Sequence, residues 1–316
     1  MKKELRIVFM GTPEFAVASL KALIAHKYTV VAVITAPDRP AGRGQKLQMS
    51  DVKKYALSQN LNILQPTNLK DEHFMNELKS LDANLQIVVA FRMLPEVVWK
   101  MPEHGTFNLH ASLLPDYRGA APIHWAIING ETKTGATTFF IDEKIDTGAI
   151  ILQRETAIGS DDTVGILHDK LMALGSELVL ETVGLIAEGN VCTTVQPKPA
   201  LEKTAYKLNK DNCKIDWNVS LENIYNKIRG LNPFPAAWCY LENGQDTLPI
   251  KLFDVEKEVA VHSNINGQLE ISKHELKVSV KGGYIHIKEM QLPGKRKMDI
   301  TSLLNGYQFS AEAKMI

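Results

Sequence analysis

The chain has 316 residues, of which 45% are hydrophobic and 23% charged, the composition of a soluble protein that buries a core of about two domains. Thirty-six basic residues balance thirty-six acidic ones, so no overall field attracts a polyanion, and any nucleic-acid partner must be met by local patches. Cys192, Cys213 and Cys239 are widely spaced with no Cys-x-x-Cys, which excludes a disulfide framework and a thiolate zinc site and points to a reducing compartment.

In chain order, Leu5 to Met10 is a buried-strand run. It is too short for a secretory segment, and nothing later approaches 18 uninterrupted apolar residues, so a cytoplasmic, membrane-free protein is expected. After Gly11, Thr12 can cap a helix whose first position suits Pro13. Val30 to Ile34 is a second strand, Val52 to Leu57 lies in a helix, and Leu85 to Phe91 and Thr106 to His110 are two further buried strands. A helix at Ile123 to Ile128 follows, then strands at Ala136 to Ile141 and Ala149 to Gln153, and a long helix from Thr163 to Glu188. Strands alternating with helices predict an α/β domain with a Rossmann-like, mostly parallel sheet over residues 1–189.

Residues 190–208, with Pro197 and Pro199, have no strong periodicity and read as a linker. Beyond it Leu221, Ile224, Tyr225 and Ile228 recur at helical spacing, and Asn232-Pro233-Phe234-Pro235 ends that helix. The remainder is short strand-like runs. The clearest pair is Leu276 to Val280 and Tyr284 to Lys288, a hairpin turning near Gly282-Gly283, with Ile285 and Ile287 inward and Tyr284, His286 and Lys288 outward. Residues 209–316 are therefore expected to form a small, OB-like β-barrel domain.

Asn108 and His110 stand two apart on a strand, so both side chains share a face, at the C-terminal end where open α/β sheets bind ligands. Asp146-Thr147-Gly148 follows 36 residues after His110. An amide donor and an imidazole can stabilise a tetrahedral oxyanion while a carboxylate manages an amine's proton, the requirements of acyl transfer to an amine. An isolated Asn-x-His is more often a hydrogen-bonded loop end. A single Asp-Thr-Gly cannot form the carboxylate pair of an aspartic protease. The nine histidines show no His-x-x-x-His pattern and no metal is expected, and Gly11 without further glycines is no dinucleotide fingerprint.

In that order, Asn108, His110, Ser112-Leu113-Leu114-Pro115 and Asp146-Thr147-Gly148 resemble the folate-dependent formyltransferase family. The resemblance runs from Phe9-Met10-Gly11-Thr12-Pro13-Glu14-Phe15 nearly to the C-terminus. It implies that Asn108, His110 and Asp146 are catalytic, and that the formyl donor is 10-formyltetrahydrofolate. By the same resemblance Ser112, Leu113, Leu114 and Pro115 lie against the donor, and Val89, Ala90, Phe91 and Arg92 belong to the wall that holds its pterin. This chain departs from the family there: Arg92 stands near the position of a glycine, and the segment to Pro95 is about one residue shorter.

Thr35 to Lys46 carries Arg39, Arg43 and Lys46 with only Asp38 against them. Such a Gly/Pro stretch is commonly just a solvated loop, but it is similar to the insertion by which one branch of the family grips the acceptor end of tRNA. The C-terminal run with Lys295, Arg296 and Lys297 is similar to the end of that branch's tRNA-binding barrel. Residues 201–316 hold 16 Lys+Arg against 14 Asp+Glu, a net of +2, so this depends on clustering. The resemblance thus implies transfer of formyl to the amine of methionine esterified to initiator tRNA; a monomer is expected. The alternatives are a formyltransferase for a nucleotide-linked amino sugar or other small amine, and a plain RNA binder, which leaves the trio without a role.

Overall fold

The computed structural model describes residues 4–41, 46–198 and 201–316. The chain divides into two compact units: residues 1–119, 134–156 and 168–204 form the first, and residues 120–133, 157–167 and 205–316 the second.

The first unit begins with β1 (Arg6–Gly11), buried from Ile7 onward, and α1 (Glu14–Ala25). Pro13, not Thr12, occupies the cap position, with no side-chain cap, and this corrects the expected start. β2 (Thr29–Ile34) pairs parallel with β1. The basic segment after it is a two-stranded ladder at its ends: β3 (Arg39–Ala41) runs antiparallel to β4 (Lys46–Gln48). Asp38, just ahead of it, is tied by Lys53 at 2.6 Å and by the Gln65 amide at 2.9 Å. These partners hold the Asp38 carboxyl below its usual range, the hydrogen bond from Lys53 most of all. Next come α2 (Asp51–Ser58), capped by the Ser50 hydroxyl, β5 (Ile63–Leu64) and α3 (Glu72–Ser80), capped by Asp71.

β6 (Leu85–Val89) is buried throughout and stops two residues before the expected end, because Ala90 turns to φ +48°. α4 (Glu96–Trp99) and the catalytic-candidate strand β7 (Thr106–His110) follow, then a two-residue strand, β8 (Arg118–Gly119). α5 (Pro122–Ile128) falls in the second unit. β9 (Lys133–Phe140), β10 (Ile150–Ala157) and the 25-residue α6 (Val164–Glu188) complete the α/β pattern.

The seven-stranded sheet has the order β10-β9-β7-β6-β1-β2-β5. β7, β6, β1, β2 and β5 are parallel, and β9 is antiparallel to β7. On one face Val8, Met10, Ala32, Ile34 and Val88 pack with Phe74, Leu78 and Val98. On the face of Leu109, α6 approaches at Gly175, where an added Cβ would sit 2.8 Å from a Leu109 methyl. Leu109 points opposite to Asn108 and His110, so this helix buttresses the strand from behind.

In the second unit β11 (Thr204–Ala205) leads to α7 (Leu221–Arg229), which starts at the Ser220 cap and buries Leu221, Ile224, Tyr225 and Ile228 as the spacing requires. β12 (Ala237–Asn243), β13 (Asp246–Leu252), β14 (Val255–Val259), β15 (Leu269–Ile271), β16 (Leu276–Val280), β17 (Gly283–Ile287), β18 (Glu289–Gln291), β19 (Met298–Asp299), α8 (Ile300–Leu304) and β20 (Lys314–Met315) follow. They form a five-stranded sheet, β19-β18-β13-β12-β20, and a four-stranded one, β14-β17-β16-β15. One apolar core, including Cys239, Ile250, Val278 and Ile285, serves both, as a small barrel requires.

The expected hairpin forms, with Val280 opposite Gly283. Tyr284 departs from its expected outward face: it is 7% exposed, its ring lies 4.6 Å from His262, and Lys277 sits 3.8 Å above it. Covering neighbours bury a residue that strand alternation alone turns to solvent.

Candidate active site

β7 carries both Asn108 and His110. Asn108 is half-buried, and its amide has no hydrogen-bond partner among the described residues. His110 is 6% exposed; its Nε2 lies 2.8 Å from the Tyr117 carbonyl oxygen and its Nδ1 3.8 Å from Asp146 Oδ2. A carbonyl only accepts, so Nε2 must carry a proton, and Nδ1 is the nitrogen turned toward the carboxylate.

Asp146 reaches His110 by a long return. Because β9 is antiparallel to β7, Phe140 at its end lies opposite Phe107, while His110 lies opposite Thr137. The loop after β9 therefore runs back about 10 Å, three residues of strand, before Asp146 meets His110. Asp146 takes φ +55°, rare for a residue with a side chain, and its Oδ2 accepts from the Gly119 N–H at 2.9 Å. Gly148 then lies flat on the sheet: a Cβ there would stand 1.7 Å from the Phe140 carbonyl oxygen.

The Ser112 to Pro115 segment continues directly from β7 and is locked by one hydroxyl. Thr137 Oγ1 donates to the Ser112 carbonyl at 2.6 Å and accepts from the Leu114 N–H at 3.2 Å and the Gln153 amide at 3.0 Å. Gln153 also donates to the Leu114 carbonyl at 2.7 Å, and the Ser112 hydroxyl to the Asp116 carbonyl at 2.6 Å. Leu114 is buried and Leu113 half-buried, and the Leu114–Pro115 peptide is cis. At the end of β6, Val89 is buried, Ala90 exposed and Phe91 half-buried. Arg92 is exposed and donates to the carbonyls of Thr67 at 2.9 Å and Pro66 at 2.5 Å. Burial pushes its guanidinium below its usual range, and the nearby Arg39 charge adds to this.

Two residues at this site have no role that the sequence suggests, Arg118 and Gln196. Gln196 lies in the segment that reads as a linker, where no periodicity singles it out. Its Nε2 donates to the carbonyls of Asp146 at 2.9 Å and Gly148 at 2.8 Å, and its Oε1 accepts from Arg118 at 3.1 and 2.6 Å.

Of the expected tRNA contacts, Arg43 lies outside the described residues, as does the side chain of Lys46; Arg39 is exposed. Lys295 and Arg296 are exposed in the turn between β18 and β19, whereas Lys297 is paired with Glu289 at 2.5 Å and lies 5.3 Å from the Phe253 ring. Among the described residues there is no metal-holding cluster of His, Cys, Asp and Glu, and no helix is long and apolar enough to cross a membrane.

Two family models match, formyl transferase over residues 5–183 and formyl transferase C-terminal domain over residues 207–308. The chain is 60% identical over 313 residues to the methionyl-tRNA formyltransferase of Flavobacterium johnsoniae, covering 99% of both chains. It is 52% identical over 321 residues to that of Bacteroides fragilis, covering 100% of this chain and 99% of the other. An N-formyltransferase from Helicobacter canadensis, solved with folinic acid and dTDP-3-aminofucose, shares the fold with a TM-score of 0.65 at 20% identity, over 90% of this chain and 98% of that one. With both family models matched and such identity along its full length, the chain belongs to the formyl transferase family.

Proposed function

We propose that this protein transfers the formyl group of 10-formyltetrahydrofolate to the free amine of methionine esterified to initiator tRNA, as a cytoplasmic monomer. The observation that carries it is 60% identity over 99% of both chains to a methionyl-tRNA formyltransferase, joined to an unpartnered Asn108 amide beside the His110–Asp146 pair. We take residues 1–189 as catalytic, 190–208 as linker and 209–316 as the tRNA-binding domain.

In this reading the amine attacks the formyl carbon, a C–N bond forms, and the carbonyl electrons move to oxygen. The Asn108 amide donates to that oxygen, and His110 adds a second donor when its Nδ1 carries a proton; Nε2–H, tied to the Tyr117 carbonyl, fixes the ring plane. The Asp146 carboxylate takes the proton the amine loses; the oxygen's electrons then re-form the carbonyl, the bond from formyl carbon to the donor nitrogen breaks with its electron pair on that nitrogen, and the nitrogen takes up a proton to leave as tetrahydrofolate. Val89, Ala90, Phe91, Arg92 and Ser112 to Pro115 hold the donor. The fit is a backbone one: the chain leaves regular strand at Ala90, exposing peptide edges beside apolar side chains, which suits a flat polar heterocycle.

For the tRNA, we take Arg39, Arg43 and Lys46 in the first unit and Lys295, Arg296 and Lys297 in the C-terminal unit as contacts. Charge pairing favours another face of that unit as well. Lys257, Lys277, Lys288, Lys297 and Lys314 all face carboxylates within 4 Å. Lys210 and Lys214 have none among the described residues; they lie 5.0 and 5.9 Å from the Trp238 ring, and Lys214 is 5.2 Å from Tyr240. Unneutralised lysines around half-buried aromatic rings suit phosphate and ribose.

Incubation with 10-formyltetrahydrofolate and charged initiator tRNA is expected to yield formyl-methionyl-tRNA, and a nucleotide-linked amino sugar to remain unformylated. The reverse result overturns the reading. Arg43→Ala is expected to weaken tRNA formylation while leaving slow donor hydrolysis nearly unchanged. If the two rates fall together, the segment shapes the active site and does not hold tRNA.

A further inference from the structure

The geometry points to Gln196 as the positioning residue that holds Asp146 against His110, with Arg118 locking Gln196 in turn; this rests on the reading of Asp146 and His110 as reacting groups. Asp146 sits in a loop that doubles back along β7, with a left-handed backbone that a side chain disfavours. Among the described residues its side chain has one backbone donor, Gly119 N–H, and 3.8 Å to His110 is too long for a hydrogen bond to hold the pair. The loop must be held from outside.

Gln196 supplies that hold. One amide group spans the carbonyls on either side of Thr147, fixing the turn at Asp146 and Gly148 together. Its orientation admits no alternative: carbonyls only accept and a guanidinium only donates, so Nε2 must face the loop and Oε1 must face Arg118. The segment carrying Gln196 is anchored independently. Thr194 exchanges backbone hydrogen bonds with Ile150 at 2.8 and 2.9 Å, and the Lys203 carbonyl accepts from Tyr117 N–H at 2.7 Å. From Cys192 to Lys198 every residue is exposed except Gln196, which turns inward. Tyr117 also offers the carbonyl that fixes His110, so this one segment braces both sides of the pair.

Two variants separate the halves of this contact. Gln196→Glu keeps an acceptor for Arg118 but sets an oxygen against two carbonyl oxygens; Gln196→Leu removes both halves. With 10-formyltetrahydrofolate and charged initiator tRNA, both variants are expected to lose about 10- to 100-fold in kcat, the effect of displacing a reacting group by about 1 Å. KM for either substrate should stay within about twofold and the thermal midpoint near that of the parent protein. Several results overturn the inference: kcat within about twofold of the parent in Gln196→Glu, or a rise in KM for tRNA at unchanged kcat, which makes the residue a docking strut. A loss of kcat that only tracks a fallen thermal midpoint also overturns it. Asp146→Asn on the same assay keeps the two readings distinct. If that variant stays active the catalytic assignment fails, whereas an inactive Asp146→Asn beside a normal Gln196→Glu sinks the positioning role alone.

Discussion

The smallest changes address the trio directly. Asp146→Asn leaves an oxygen to accept from the Gly119 N–H at the 2.9 Å now observed, so the loop keeps its place and only the charge is lost. Turnover is expected to fall by about 10²–10⁴-fold with donor affinity unchanged; a variant keeping more than about a tenth of the activity removes the carboxylate from the proton transfer. Asn108→Ala removes an amide that no other described residue uses, so it costs little stability. Its loss should appear in kcat, at about 2.7–4 kcal/mol of barrier, because the oxyanion it meets exists only near the transition state. A change confined to donor KM, followed by steady-state kinetics, would show that the amide binds the ground state.

Two elements carry predictions of their own. Gly148 lies against the last residue of β9, and a methyl there would overlap the Phe140 carbonyl, which the sheet holds still. Gly148→Ala should therefore push the Asp146 turn off the sheet, lowering stability by about 1–3 kcal/mol and turnover with it. Full activity with an unchanged melting midpoint would refute this close approach. On α7, the Tyr225 phenol is pushed up to about 12, chiefly by burial and then by its hydrogen bond to Asp161 at 2.8 Å. An unfolded tyrosine ionises at 10.0, so between pH 10 and 12 the unfolded chain holds fewer protons and stability falls as pH rises. Tyr225→Phe is expected to lower the neutral melting midpoint by removing the hydrogen bond, about 1 kcal/mol, and to flatten that alkaline decline. An equally steep decline in the variant assigns it to other groups. This helix is legible in the amino-acid sequence, because Leu221, Ile224, Tyr225 and Ile228 repeat at its own period and all four are buried.

At the scale of the molecule, charge placement decides which surface can meet tRNA. Replacing Lys210 and Lys214 together by glutamate should raise KM for tRNA and flatten the dependence of affinity on salt, since each lost phosphate contact lowers the slope by about 0.7–0.9. An unchanged slope would return the interaction to the exposed Lys295 and Arg296. The long strands and helices of the sheet, the amphipathic helix and clearest hairpin of the second unit, and the placing of Asn108 and His110 on one strand face were determined by the sequence itself. Each is a local or periodic property, repeated every two or 3.6 residues and enforced by burial on one side. What only the tertiary structure decided is how Asp146 comes to His110, what braces it, and which lysines are neutralised. The Asp146 loop returns along an antiparallel strand, Gln196 acts across 50 residues on Asp146 and 78 on Arg118, and Lys297 meets Glu289 across a turn. Contacts between residues so far apart obey no period, so their positions along the chain carry no trace of them until the backbone has folded.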